Sequence, residues 1–330
     1  MSKILLSGHL QYFGVALFAI VLLILPLLAG PYPIAVLVDI GFYSIVTMGL
    51  IILMGFAGQI SLGQAVFFGL GAYVSGILTT QYHLSPWLAL VLAAIATGGI
   101  AAIIGRAMLR LRELIVAGVT LALNLVFYYL VTSLVDLTGG ASGMTNIPRL
   151  SLDGFIPEYT LLNYYLVWII AFLLLIFSLN LVNSRVGRAL RSMNQLAGGS
   201  EETAQALGVN IMKYKVQVFA LSAIYASIAG SIYAYYIGCI EPDTFGVQLS
   251  VRVVIMAIIG GMTSPWGAFL GAGSIVGLTE LLREFMPVLI AGPTGAYELI
   301  AYGIILVMAL LFLPQGLISI CHRLVPQGGH

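Results

Sequence analysis

The amino-acid sequence predicts an all-α polytopic membrane protein of about ten transmembrane helices, and three observations predict it. Of 330 residues, 61% are hydrophobic and only 8% are charged. A soluble globular chain is roughly 45–50% apolar and about 25% charged. Mean hydropathy is +1.08, an apolar excess that a water-soluble core cannot hide. Apolar runs of the roughly 20 residues that a spanning helix needs recur along the chain, bounded by Pro, Gly or charge.

Taken in order, the runs place spans at residues 12–29, 34–54, 61–80, 86–105, 114–135, 160–182, 215–237, 248–262, 265–281 and 296–313. The first is not read as a cleaved signal peptide, because LPLLAGPYP leads straight into further membrane sequence. The eighth and ninth are short, with Gly260, Gly261 and Pro265 at their junction. Cytoplasmic loops carry an excess of Lys and Arg, which sets the orientation. With Lys3 inside, the same side collects Arg106, Arg110 and Arg112, then Arg185, Arg188, Arg191, Lys213 and Lys215, and finally Arg323, ten of the thirteen basic residues. The outer side receives Asp136, Arg149, Asp153, Glu158, Glu241, Asp243 and Arg252, with Glu280, Arg283 and Glu284. Both termini are then cytoplasmic, and residues 183–214 form the largest cytoplasmic loop of a single membrane domain, 1–330. Ten spans divide into two sets of five. An odd number per set gives halves of opposite orientation, the inverted-repeat plan of many transporters. FFGLGA (67–72) and GAFLGA (267–272) are the only echo of such a repeat.

Two stretches depart from plain lipid-soluble helix. GFAGQISLGQAVFFGLGAY, residues 55–73, sets Gln59, Ser61 and Gln64 among five glycines. IIGGMTSPWGAFLGAG, residues 258–273, contains Ser264 and is its counterpart in the second half. Every backbone polar group in lipid needs an internal partner, so such breaks belong against other helices or a water-filled cavity. A Gly-interrupted segment in each half points to a translocation pathway. Gln59, Ser61, Gln64 and Ser264 are its candidates, with Thr120 and Asn124 of the fifth span. Close helix packing competes with that reading, and is favoured for Gly69, Gly71 and Gly271. Asp39, near the outer end of the second span, is within reach of headgroups or a loop partner.

Several chemistries are excluded. Net charge is +1, which gives no electrostatic case for nucleic acid. Cys239 and Cys321 make no metal or redox motif, and His9, His83, His322 and His330 show no ligand spacing. No metal site and no catalytic constellation is expected. Lys3, Lys213 and Lys215 are the only lysines, and none completes a G-x-x-x-x-G-K-[ST] phosphate loop. ATP, if it powers the protein, must be bound by another subunit, and no cofactor is expected on this chain. No relay of Asp, Glu or His crosses the membrane, which argues against ion coupling.

The charged loop has its own pattern. RVGRALRSMNQLA can continue the sixth span into the cytosol until Gly198–Gly199 stops it. Ser200 is then an N-cap, with Glu201 and Glu202 in the first turn, where the helix dipole favours acid, and Gly208 ends the helix. A helix over 201–207 is too short to stand alone in water. Docking on a cytosolic partner, with Ala204 and Leu207 presented, would hold it; a solvated loop tip is the alternative.

Five segments in order carry a resemblance to a known family. They are GFAGQISLGQAVFFGLGAY, then VTLALN (119–124) followed by LTGGASGMTNIP (137–148), then GRALR and AQALGVNIMKYKVQVFALSA within 187–223, then SIAGSIYAYYIGCIEPDTF, and last IIGGMTSPWGAFLGA. From about residue 35 onward the chain resembles the LivM-type permease of bacterial ABC importers for branched-chain amino acids, within the wider LivH, LivM and ribose-type permeases. The resemblance implies a multi-pass protein of the bacterial inner membrane, in contact with lipid. Its implied partners are a sister permease of LivH type, two cytosolic ATP-binding subunits, and a periplasmic or extracellular amino-acid-binding protein. It makes the 187–210 loop the element that couples to the ATPases, through Gly187, Arg188, Arg191, Ala204, Ala206, Leu207 and Gly208, with Glu201 and Glu202 beside them. Urea, amides and other amino acids are carried by related permeases and remain alternative substrates. An ion-coupled secondary transporter is the competing class, and a structural or signalling membrane protein a third. Three departures from the family pattern stand out: a loop about four residues longer near LAGGS, SMNQ in place of arginine and acid, and no Gly-aromatic pair before VTLALN.

Overall fold

The computed structural model describes residues 22–26, 30–108, 113–150, 159–194, 199–289 and 317. Within them the backbone is helical, with no strand beyond a single antiparallel bridge between Met144 and Ile240. Of the first predicted span only residues 22–26 are described, and they are helical. The tenth, 296–313, lies outside the described residues.

The remaining eight spans are all helices. They are α1 (Pro31–Ile51), α2 (Gln64–Thr80), α3 (Pro86–Met108), α4 (Glu113–Ser133), α6 (Tyr159–Asn183), α9 (Ile211–Ile237), α10 (Val247–Gly260) and α11 (Gly267–Leu289). Short helices α5 (Val135–Thr138), α7 (Arg185–Met193) and α8 (Glu201–Ala206) lie between them. Among the described residues, five helices are long and apolar enough to cross a membrane: α1 with its extension to Phe56, then α3, α4, α6 and α9. α2, α10 and the first part of α11 are apolar but shorter. Proline starts α1 and α3, where its missing N–H costs nothing.

α9 is the central helix and packs against α1, α2 and α3. Lipid is as apolar as leucine, so close backbone approach and polar contacts must hold such helices together. A Cβ on Gly71 would lie 2.2 Å from the Ser227 carbonyl oxygen, and one on Gly230 would lie 1.9 Å from that of Phe68. Ser231 Oγ donates to the Gly71 carbonyl at 3.0 Å across the same seam. Further out, Tyr225 hydroxyl donates to the Leu174 carbonyl and lies 2.8 Å from Ser178 Oγ, tying α9 to α6. The outward faces are bare leucine, isoleucine and valine. Ile103 on α3 is 75% exposed and Leu173 on α6 61%, which suits a surface solvated by acyl chains.

Two boundaries differ from expectation. α11 runs eight residues beyond the predicted 281. The third predicted span begins as irregular chain, and its helix starts only at Gln64, because the seven residues after Phe56 do not continue the ladder.

Candidate functional site

The break after α1 starts with a change of winding. Residues Ile52–Phe56 form a π-helical turn, a feature that often marks functional positions. Gly55 then touches the second Gly-rich stretch: a Cβ there would lie 2.0 Å from the Met262 carbonyl oxygen. Gly58 has φ +68°, the left-handed region that glycine adopts without strain. The two interrupted segments of the sequence therefore meet at one place.

Side chains of neighbouring helices satisfy the unwound backbone. Leu62 N–H donates to Thr120 Oγ1 at 3.0 Å, and Asn124 Nδ2 donates to the Leu62 carbonyl at 2.6 Å. Ala65 N–H donates to Ser250 Oγ at 3.0 Å, and that hydroxyl donates to Asn124 Oδ1 at 3.2 Å. Gln64 Nε2 donates to Ser222 Oγ at 2.8 Å, and Ser61 Oγ accepts from the Gly63 N–H. Gln59, Ser61, Gln64, Thr120 and Asn124 are all buried and gather here. Ser264 does not join them. It is half-buried in the turn between α10 and α11, where its carbonyl accepts from Gly267 N–H at 3.0 Å. Both amide atoms of Gln59 and Oε1 of Gln64 are buried without a hydrogen-bond partner among the described residues. Buried amides left in this state are rare and call for an explanation.

The charged loop differs in detail from its prediction. The sixth span does not run on into it. Ser184 caps a new helix, its Oγ accepting from Val186 N–H at 3.1 Å and Gly187 N–H at 3.5 Å. That helix, α7, ends at Met193 rather than at Gly198–Gly199, because Asn194 is already extended. Ser200 occupies the N-cap position of α8, but its side chain makes no capping bond. The six-residue α8 is held instead by its own chain. Glu201 pairs with Lys215 on α9, and Ala204 is buried at 1% exposure. Gly208, at φ +84°, turns the chain after Leu207 as expected.

This sorts the loop residues. Gly187 is buried, and a Cβ there would lie 2.1 Å from the Val182 carbonyl oxygen. Arg191 Nη2 donates to that carbonyl at 2.6 Å, and Arg188 Nη1 to the Asn183 carbonyl at 3.4 Å, so both arginines cap the end of α6. Ala204 faces the chain rather than a partner. Glu202, Ala206, Leu207 and Gly208 are exposed, Leu207 at 78%, and Glu201 is half-buried.

Sequence reasoning missed the residue that joins loop and break. Asn194 is buried, and its Nδ2 donates to the Gly55 carbonyl at 2.6 Å. Its Oδ1 lies 3.2 Å from where a Cβ of Gly58 would sit. An asparagine just past a charged amphipathic helix was the only local signal.

Apolar spans, a broken helix with amide side chains in its wall, and a polar loop tied to that break together define a membrane permease. The chain belongs to the family described as the branched-chain amino acid transport system / permease component, which matches residues 32–310. It is 28% identical over 299 residues to the high-affinity branched-chain amino acid transport system permease protein LivM of Salmonella typhimurium, covering 84% of this chain and 67% of the relative. A probable LivM of Methanocaldococcus jannaschii is 25% identical over 326 residues, covering 86% and 92%. LivH of Salmonella typhimurium is 24% identical over 300 residues, covering 84% and 91%. No solved structure matches.

Proposed function

We propose that this chain is the membrane-spanning permease of an ATP-driven importer that moves leucine, isoleucine or valine across the bacterial inner membrane. Family membership over residues 32–310 carries this reading. The likeness to both LivM and LivH supports a paired pathway, with this chain in the LivM place and a LivH-type sister beside it. ATP is hydrolysed on two separate cytosolic subunits, and a binding protein delivers the solute from outside.

The geometry gives the mechanism a route. Movement of the ATPases acts on the exposed part of the loop, chiefly Leu207 and its neighbours. α7 carries the movement to Asn194, and Asn194 pulls on the Gly55 carbonyl at the π-helical turn. Re-winding there shifts Gln59 and Gln64, whose buried amide atoms are matched by a passing polar solute in one state of the cycle. Thr120, Asn124 and Ser250 keep the unwound backbone bonded meanwhile.

The test is reconstitution of this permease with its sister, the ATPases and the binding protein in proteoliposomes. Uptake of labelled leucine should require ATP and all four components. Uptake that persists without the ATPases would place the chain among secondary transporters and sink the importer reading.

A further inference from the structure

The two helices of the α10–α11 hairpin are joined closely to each other. A Cβ on Gly260 would collide with the Gly267 carbonyl, and one on Gly271 with that of Met256, so they touch backbone to backbone. Ile255, Met256, Ile259, Ala272, Ile275 and Val276 form a small apolar cluster of their own, and Val36, Ile40 and Tyr43 of α1 pack on it. Other residues of the hairpin, Val253 and Phe269 among them, join the main core. At its turn the hairpin meets the break, where the Met262 carbonyl abuts Gly55.

Further along, the hairpin meets α1 in another manner. A cavity of about 190 Å³ opens between α1, α2, α9, α10 and α11, and long polar side chains join α1 to the hairpin around it. Tyr32 hydroxyl on α1 donates to Glu280 on α11. Arg252 on α10 donates from Nη1 to Tyr43 hydroxyl at 3.5 Å and from Nη2 to Thr279 Oγ1 at 2.8 Å. Its guanidinium carbon lies 5.1 Å from the Tyr43 ring centroid. Arg283 pairs with Glu280 at 3.3 Å on the rim. Asp39, on the α1 side of the cavity, is coupled electrostatically to Arg252 first, then to Glu280 and Arg283. Tyr32, Asp39 and Tyr43 follow the helical repeat, so one face of α1 is turned to the charges of the hairpin.

The contrast with the seam of α9 carries the inference. There, Gly71 and Gly230 bring backbones into contact, the kind of packing that holds apolar helices together in lipid. Around the cavity, charges and hydroxyls do the joining. Buried ion pairs add less stability than apolar groups of the same volume, because their members are well solvated once water reaches them. Such a junction is suited to parting and re-forming. We propose that Tyr32, Asp39 and Tyr43 of α1, with Arg252, Glu280 and Arg283 of the hairpin, form a polar clasp that is closed in this state and opens when the break re-winds. The clasp rests on the transport reading of the break and gives that movement a second end. A shift at Met262 is passed along the joined helices to Thr279, roughly 18 Å along α11 from Gly267 at about 1.5 Å per residue. In the orientation proposed from the basic residues, the clasp faces outside.

Two measurements on the complex reconstituted with its sister, the ATPases and the binding protein test this, in a background of Cys239→Ser and Cys321→Ser. In the first, Tyr32→Cys and Glu280→Cys are introduced together and bridged by a short rigid bismaleimide. Bridging should lower leucine uptake at least tenfold, while the same reagent on either cysteine alone leaves uptake near the untreated rate. Unchanged uptake from the bridged complex overturns the clasp, because its two sides then never part. A pair that the reagent cannot bridge overturns the contact itself. In the second, Val276→Cys in the cavity wall should react with a maleimide at least fivefold faster once Glu280→Gln is added. Equal rates also overturn the clasp. Tyr32→Phe, at an exposed position, replaces Glu280→Gln with the same expectation if that variant does not assemble. An untreated complex that carries no leucine refutes the importer reading, and the labelling of Val276→Cys still decides the clasp.

Discussion

At the scale of single residues, the break is a problem in hydrogen bonding solved by side chains from other helices. Asn124 is the clearest case, because one amide both donates to the Leu62 carbonyl and accepts from Ser250 Oγ. Its position in an otherwise apolar fifth span was legible in the sequence, and so was the need for a partner. Which partner was not legible, since Leu62 and Ser250 lie 62 and 126 residues away. Asn124→Ala strips a buried carbonyl and a buried hydroxyl of one bond each. Each orphaned group costs about 1–3 kcal/mol. The variant should therefore unfold at a clearly lower temperature in detergent, whereas Arg188→Ala, at an exposed position, should move the midpoint little.

At the scale of elements, helix positions were readable and their relations were not. Length and hydropathy placed α1, α3, α4, α6 and α9 to within a few residues. α8 shows the limit. Ala204 and Leu207 are three positions apart and both apolar, yet one is buried and the other is 78% exposed. Composition could not say which of them faces the chain; the Glu201 to Lys215 pair and the packing of Ala204 decide it. An exposed leucine on a charged loop is the group that gains most from a partner. Burying a leucine side chain is worth roughly 1.5–3 kcal/mol. Leu207→Ser should thus weaken binding of the ATPase about tenfold or more, read by titration of the purified subunit, with the thermal midpoint of the permease unchanged. Unaltered affinity would remove Leu207 from the interface. α7 makes a different prediction. Asn194, just past its end, bonds it to the break through the Gly55 carbonyl, so Asn194→Ala should keep the ATPase bound and hydrolysing while transport per ATP falls. Coupling mutations of this type shift the balance by about 0.5–2 kcal/mol. Parallel loss of hydrolysis and uptake would show that Asn194 only supports the fold.

At the scale of the whole molecule, the break and the charged loop sit at the same end of α9. In the orientation proposed from the basic residues, the break, the Gly55 to Met262 crossing and the loop lie toward the inner face. That orientation rests on the distribution of basic residues, with Lys213 and Lys215 beside the loop and Glu241 and Asp243 beyond the far end of α9. One helix, α9, runs from the charged loop to the segment around Cys239, which the proposed orientation puts outside. Its length of 27 residues is enough to cross the bilayer with some tilt. The chain supplies its own reporter at the outer end. Cys239 is exposed just past the left-handed Gly238, where Gly238 and Ile240 bond to the segment around Met144 and Ile147. With Cys321→Ser removing the other thiol, an impermeant maleimide added to intact cells should label Cys239. Leu207→Cys, placed in a background with Cys239→Ser and Cys321→Ser, should stay unlabelled until the membrane is opened. The reverse pattern would invert the whole protein, putting the coupling loop outside and out of reach of any cytosolic ATPase. Labelling of both from one side would mean that α9 does not span.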